Sequence, residues 1–337
     1  MSKGGFTMSG VGLDIGTNML VSAIMDEEGN TVYKRQRDAF LRITPKSKVN
    51  QKSIRMALEN RKANFIIDES GDFIVVGEDA LIMANERSVD ARRPMSKGVL
   101  SPKEKDSLPM IKLIIKSIVG DGNGDSNLVF SVPAEPVDGE FDIFFHTEMM
   151  KSYIKEMGFE ATPINEAFAI AFSELLDDNL TGMCLSFGAG MVNTAVCYEG
   201  DPIIQFSLIR GGDWIDQSVG KAMDERASLI QIEKEEGNID LLNPEGKIQE
   251  AITVYYNVLI NYALDNIIYE LNRAKLPSFR KEIPIVVSGG LTIARGFVNK
   301  FEDAMVGKKF AFDVKEVRLA KDPMTAVANG CLMAAVL

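Results

Sequence analysis

A chain of 337 residues with 46% hydrophobic and 25% charged residues has the balance of a folded globular protein, which excludes disorder and favours two domains or one two-lobed body. Lys and Arg number 37 against 48 Asp and Glu, and the net charge of −11 excludes a general nucleic-acid binder, so a polyanionic ligand must be held by local means. Three cysteines without CxxC spacing argue against a zinc site or a disulfide framework, and the single histidine, His146, inside the apolar run Phe144-Phe145-His146, reads as structural and leaves no histidine-based catalysis.

Met1 to Gly10 is small and polar, without the basic start and apolar centre of a signal peptide or the apolar face of an amphipathic anchor. No apolar run reaches the ~18 residues of a membrane span. A cytoplasmic location is expected. The runs Val11–Ile15 and Met19–Ile24, parted by Gly16-Thr17-Asn18, predict a β-hairpin, and Thr31–Arg35 a third strand of a meander. The stretch from about Asp38 to Arg93 is more basic and broken. It contains a strand pair over 63–67 and 73–76 and reads as a small inserted lobe.

Apolar residues at Leu108, Ile111, Ile114, Ile115 and Ile118 predict a helix over 107–119 that stops at Gly120. Leu108-Pro109-Met110 is read as core packing. A strand over 127–132 runs into Pro133, a helix follows over about 145–157, and Phe168, Phe172, Leu175 and Leu176 share one face of the run 164–176. Alternating strands and helices predict an α/β layer. Met183–Val196 repeats the opening hairpin around Gly188-Ala189-Gly190, which points to a duplicated architecture. Beyond Gly211-Gly212-Asp213 the chain turns polar and helical; Trp214 reads as packing, and the charge cluster Glu233–Glu236 as a solvated helix face. A long helix near 248–273, a buried strand over 283–287, the turn Ser288-Gly289-Gly290 and a small apolar helix within 322–337 complete the chain.

A glycine hairpin turn lets backbone N–H groups converge on an anion, and an adjacent hydroxyl such as Thr17 adds a donor. Two such turns in opposite halves, with a third at Gly289-Gly290, make a cleft able to clamp a nucleotide. Asp14, at a strand end beside the first turn, suits a Mg²⁺-water ligand, because Mg²⁺ keeps most of its waters and takes few carboxylates.

Taken together these segments resemble the prokaryotic actins, closest to the MreB and MamK branch of the superfamily shared with actin and the heat-shock ATPases. Asp14-Ile15-Gly16-Thr17 is similar to the first phosphate motif, and Val75–Ala80 and Arg93–Val99 to segments of that branch. Ser131-Val132-Pro133-Ala134 fits a strand-end position, Ile164–Ala167 a connecting-helix start, Gly188-Ala189-Gly190 the second phosphate turn, Ser288-Gly289-Gly290 the adenosine motif, and Asp322–Gly330 the second connecting helix.

The resemblance implies an α/β actin-like ATPase fold of two lobes, each with a duplicated mixed β-sheet flanked by helices, around a nucleotide cleft. Its implied subdomains are 1–37 with 94–165, 38–93, 166–212 with 266–337, and 213–265. It implies ATP or ADP with Mg²⁺ as ligands. Asp14 would orient metal-bound water and Glu166 the attacking water. Gly16, Thr17 and Asn18 would hold phosphate, with Gly188, Ala189 and Gly190 as the second phosphate turn; Met191, Gly211, Gly212, Asp213 and Leu291 are further nucleotide-binding positions, Gly289 and Gly290 would let the backbone approach the nucleotide, and Glu233 or Lys234 would touch its adenosine part.

Departures stand beside the matches. Ser186 occupies the position where the second phosphate motif usually begins with aspartate; Met191 and Val192 stand at threonine positions, and Leu20 at a hydroxyl position. Charge-assisted contacts are worth roughly 1.5–3 kcal/mol each, so slow hydrolysis is expected. The resemblance implies a filament subunit that stacks head to tail in paired protofilaments, with adaptor proteins as further partners and a role in cell shape or in positioning an organelle or DNA. A nucleotide-independent scaffold and a small-metabolite kinase are the alternatives.

Overall fold

The structure, a computed structural model, describes residues 10–124, 126–140 and 142–337. The readings made on the residues before Gly10 lie outside it. Two five-stranded sheets share one topology. In the first lobe β1 (Gly10–Ile15), β2 (Met19–Met25) and β3 (Thr31–Arg37) form the antiparallel meander expected from the Gly16-Thr17-Asn18 turn, with Ile15 paired to Leu20.

An inserted unit follows. It comprises β4 (Phe40–Ile43), α1 (Lys48–Arg61), β5 (Phe65–Ile67), β6 (Phe73–Val76) and α2 (Glu78–Glu86), its strands ordered β4-β6-β5. The small ribbon β7 (Met95–Ser96) and β8 (Val99–Leu100) leads to α3 (Ser107–Val119), whose limits match the apolar spacing. Then β9 (Ser126–Val132), α4 (Ile143–Glu156) and β10 (Phe159–Asn165) add two strands parallel to β1, giving the order β10-β9-β1-β2-β3.

After α5 (Glu166–Glu174) the pattern repeats. The strands β11 (Gly182–Phe187), β12 (Val192–Tyr198) and β13 (Asp201–Leu208) form an antiparallel meander. The helices α6 (Gly212–Met223), α7 (Ala227–Glu236) and α8 (Gly246–Arg273) intervene. Then β14 (Ile283–Ser288), α9 (Phe297–Met305) and β15 (Val314–Leu319) complete the order β13-β12-β11-β14-β15, before the terminal α10 (Ala326–Val336). In both sheets the meander lies on one side of the first strand and the two parallel strands on the other, as a duplication requires.

Each lobe has its own apolar core. One packs β1 and β9 against α3 and α4 through Leu13, Phe130, Ile114 and Ile154; the other packs β11 and β14 against α8 and α9 through Phe187, Val287, Ile260 and Phe301. Between the sheets α5 and α10 form a third core of small residues, Ala167, Ala171, Ala326 and Cys331 among them. α10 approaches β1 closely enough that a Cβ on Gly12 would lie 2.1 Å from the Ala328 carbonyl oxygen, and approaches α5 closely enough that one on Gly330 would lie 1.8 Å from that of Ala169. One expected face is corrected: Leu175 is buried, but Leu176 is 57% exposed, because α5 ends at Glu174 and the chain tightens into a short 3₁₀ turn.

His146 is buried on α4, as a structural side chain should be. Its Nδ1 accepts the Leu100 N–H at 3.2 Å, and burial pushes its pKa down from 6.5 to about 4. A depressed folded-state pKa adds stability that is complete above 6.5 and lost as pH falls toward 4. About 2–3 kcal/mol should disappear between pH 7.5 and 4.5. Urea unfolding at the two pH values, in wild type and His146→Gln, checks this: the variant should lose that much less, and equal losses would contradict it.

Candidate functional site

The equivalent ends of the two duplicated sheets face each other across a cavity of about 570 Å³. Its walls are the β1–β2 turn, Gly16 to Asn18, the β11–β12 turn, Gly188 to Met191, and the turn after β14, Gly289 to Leu291. Asp14 and Glu166 line it as well. Asp14 is the penultimate residue of β1. Asn165 caps α5 by accepting the Phe168 N–H at 3.0 Å, which sets Glu166 in the first helical turn facing the cleft.

These two half-buried carboxylates determine the local electrostatics. Ser131 Oγ donates to Asp14 Oδ1 at 2.7 Å while accepting the Ile15 N–H at 2.9 Å, so the strand-end serine of β9 orients Asp14. Burial pushes the Asp14 carboxyl up to about 6 against that hydrogen bond. Glu166 is pushed up to about 8, first by burial and then by the Asp14 charge, against a hydrogen bond from Ser186. The raised pKa values mean that burial and mutual repulsion disfavour ionising both carboxyls together, and a bound cation would favour the ionised pair.

The turns fit close backbone approach. A Cβ on Gly16 would sit 2.5 Å from the Met19 carbonyl oxygen, and one on Gly190 would sit 2.5 Å from Thr17 Oγ1. Gly289 has φ +94°, and its Cβ would meet the Phe187 carbonyl oxygen at 2.5 Å, so the third turn needs glycine on both counts. Gly211 stands behind the second turn and not on the wall. There the N–H groups of Gly212 and Asp213 donate to the Gly188 and Ala189 carbonyls at 3.0 and 2.8 Å, bracing the turn from the start of α6.

Each departure seen in the sequence has a structural counterpart. Ser186 Oγ donates to Glu166 Oε1, and Asn193 Nδ2 donates to Oε2 at 2.8 Å, so Glu166 is held through both oxygens. Asn193 also accepts the Ala134 N–H at 3.0 Å, tying Glu166 to the exit of β9. Met191 packs against the β7–β8 ribbon, where a Cβ on Gly98 would lie 2.6 Å from its sulfur, and Val192 and Leu20 are wholly buried. Leu20, Met191 and Val192 are core side chains, and the second turn offers only backbone donors. Thr17 Oγ1 accepts the Gly98 N–H at 2.9 Å.

α7 corrects the reading of Glu233–Glu236 as a solvated face. Lys234 lies on the cavity wall, where its Nζ donates to the Gly212 carbonyl at 3.0 Å and pairs with Asp216 at 2.9 Å. Glu235 pairs with Arg37 at 2.6 Å. Glu233 is off the wall and accepts Gln249 Nε2 at 3.0 Å instead. The Asn18 side chain turns from the phosphate position to α7, its Nδ2 donating to Glu235 Oε1 and its Oδ1 accepting Gln231 Nε2, both at 3.0 Å. Gly212, Asp213, Gly290 and Leu291 line the cavity, as do Arg37, Gln231 and Tyr256, which sequence reasoning did not single out. No motif marks these last three; they reach the cleft through tertiary packing.

The cradle suits a nucleotide and its metal. Three glycine turns leave backbone room for phosphates, and Asp14 with Glu166 supplies the one or two carboxylates that Mg²⁺ takes beside phosphate oxygens. Among the described residues no group of three or more His, Cys, Asp or Glu forms a self-sufficient metal cage.

A family model described as Volactin matches residues 8–335. No curated protein sequence matches the chain. Among solved structures it is similar to a MamK double helical filament, with TM-score 0.66 and 18% identity, covering 97% of this chain and 98% of that one. It is also similar to MreB 5 of Spiroplasma citri bound to AMPPNP, with TM-score 0.65 and 18% identity over 95% and 94%. A third neighbour is the ethanolamine utilization protein EutJ from Carboxydothermus hydrogenoformans, with TM-score 0.52 and 15% identity over 96% and 89%. The two duplicated sheets around one cleft are the actin-like fold.

Proposed function

The chain belongs to the Volactin family, and on that premise we propose that it is an actin-like cytoskeletal subunit. In this reading it binds ATP with Mg²⁺ in the cleft, polymerises head to tail and hydrolyses its nucleotide slowly. The observation that carries the reading is the meeting of Asp14 and Glu166 between two equivalent glycine turns. Backbone N–H groups of Gly16–Asn18 and of Ala189 and Gly190 hold phosphate, while the Gly188 N–H closes the second turn on the Met191 carbonyl at 2.9 Å; Asp14 holds the metal, and Gly289 and Gly290 admit the adenosine part. When bound, Mg²⁺ supplies charge neutralisation at the phosphates. Glu166, fixed by Ser186 and Asn193, keeps lone pairs toward the cleft to orient a water. Phosphoryl transfer depends on such positioning and on charge neutralisation. A neutral serine at 186 removes one anionic anchor for the metal and its waters, which favours slow turnover.

Self-association is supported by the likeness to MamK, a protein solved as a double helical filament. Head-to-tail contacts of this kind give open polymers unless a rotation closes them. Its subdomains in this reading are 1–37 with 94–165, 38–93, 166–212 with 266–337, and 213–265. The protein works in the cytoplasm, with a second copy of itself as main partner, adaptors beside it and no direct contact with nucleic acid. Among the described residues no helix is long and apolar enough to cross a membrane. Sedimentation with ATP and Mg²⁺ followed by electron microscopy tests the reading: filaments are expected, and a strictly monomeric chain that transfers phosphate to a small molecule would replace it with the kinase alternative.

A further inference from the structure

We infer that a second cavity, between the inserted unit and the start of α6, is a binding site for a small organic cation, an aliphatic amine or diamine whose ammonium group pairs with the Asp38 carboxylate. This site is separate from the nucleotide site and does not depend on it. The cavity measures about 350 Å³, the size of a small-molecule site, and Asn18 and Gln231 belong both to its wall and to that of the nucleotide cleft.

Its charge is one-sided. Asp38, Asp90, Asp213 and Asp216 line it together with two cations, Arg37 and Arg93. Arg37 is taken by Glu78 and Glu235 at 2.9 and 2.6 Å, Arg93 pairs with Asp213 at 2.8 Å, and Asp216 pairs with Lys234 at 2.9 Å. Among the described residues this leaves Asp38 and Asp90 without an ion pair.

Asp38 carries the inference. It is 1% exposed; its Oδ2 accepts the Met95 N–H at 3.0 Å, and its Oδ1 has no hydrogen-bond partner among the described residues. A buried acceptor left in this state is costly. Burial pushes the Asp38 carboxyl up to about 8, with the Asp213 charge adding to the shift and the Met95 N–H and Arg93 opposing it. An ammonium ion supplies both the donor that Oδ1 lacks and the charge that lets the carboxyl ionise. Leu81, Ala91 and Met95 offer apolar surface to a methylene chain, which a hydrated inorganic ion would not use. Asp90 is exposed and accepts Ser228 Oγ at 2.8 Å, so a second carboxylate stands nearer solvent, as suits a diamine.

The test is calorimetric titration of the full chain at fixed ionic strength with 1,4-diaminobutane, butylamine and 1-butanol. Both amines should bind, and butanol, of the same chain length without the charge, at least about tenfold more weakly. Asp38→Asn keeps the side-chain shape and an acceptor for Met95, and should weaken both amines about 10- to 100-fold. Asp90→Asn, at an exposed position, should weaken the diamine and leave butylamine unchanged. In wild type the affinity for butylamine should rise roughly five- to tenfold from pH 7 to 8.5, because Asp38 must release its proton to pair; the rise should vanish in Asp38→Asn. Amines that bind no better than butanol, or that bind Asp38→Asn as tightly as wild type, would overturn the site. If Asp38→Asn does not fold, the butanol comparison and the pH dependence in wild type still decide.

Discussion

Asp14→Asn should bind ATP in the presence of Mg²⁺ roughly 10- to 100-fold more weakly than wild type, the loss expected for one charge-assisted contact. The substitution keeps the shape of the side chain and its acceptor for Ser131, so the fold should survive. What disappears is the negative charge that makes the cleft attractive to a divalent cation. Without Mg²⁺ the difference should shrink, because the unliganded cleft gains from losing one of two mutually repelling carboxyls. Calorimetric titration with and without Mg²⁺ checks both parts. Equal affinity in the two proteins with Mg²⁺ present would remove Asp14 from the metal site. The same variant bears on assembly: polymer that forms unchanged would favour the nucleotide-independent scaffold.

Gly330→Ala should destabilise the chain by at least about 3 kcal/mol, at the upper end of what overpacking a core costs. A methyl group there would lie 1.8 Å from the Ala169 carbonyl oxygen and 2.5 Å from its carbon, both backbone atoms that no rotamer change can move. Relief requires α10 to shift from α5, which opens the small-residue core that joins the lobes. Gly307→Ala is the contrast. That glycine has φ +78° with open space around it, so the cost is conformational only, about 1 kcal/mol. Urea midpoints of the two variants should differ clearly; a smaller shift for Gly330→Ala would show that the helices are not locked at this contact.

The elements legible in the sequence are those with strong local signals. The two hairpins announced themselves by apolar runs around glycine turns, and α3 by its spacing of isoleucines. α1 and α2 of the inserted unit carry weak local signals: α1 buries only Leu58, and α2 is nine residues long with a buried face of Ala80, Met83 and Ala84. The ribbon β7–β8 is too short for any pattern.

At the site, residues tied to glycine turns were readable because backbone geometry dictates residue type. Asn193 was passed over because it follows the turn inside an apolar strand, and only the fold brings Glu166 to it. The same holds for α7. Glu235 and Asn18 lie 217 positions apart, and a charge cluster met in a sequence gives no sign of the arginine and asparagine that will face it.

The central claim is that the chain polymerises with bound ATP and hydrolyses it slowly because Ser186 and the buried positions of Met191 and Val192 have replaced phosphate and metal ligands. One measurement addresses it most directly: polymer mass by light scattering and phosphate release followed together after adding ATP and Mg²⁺. Polymer should approach its plateau while only a small fraction of the bound nucleotide has been cleaved. Phosphate released in step with assembly, one per subunit, would contradict the account.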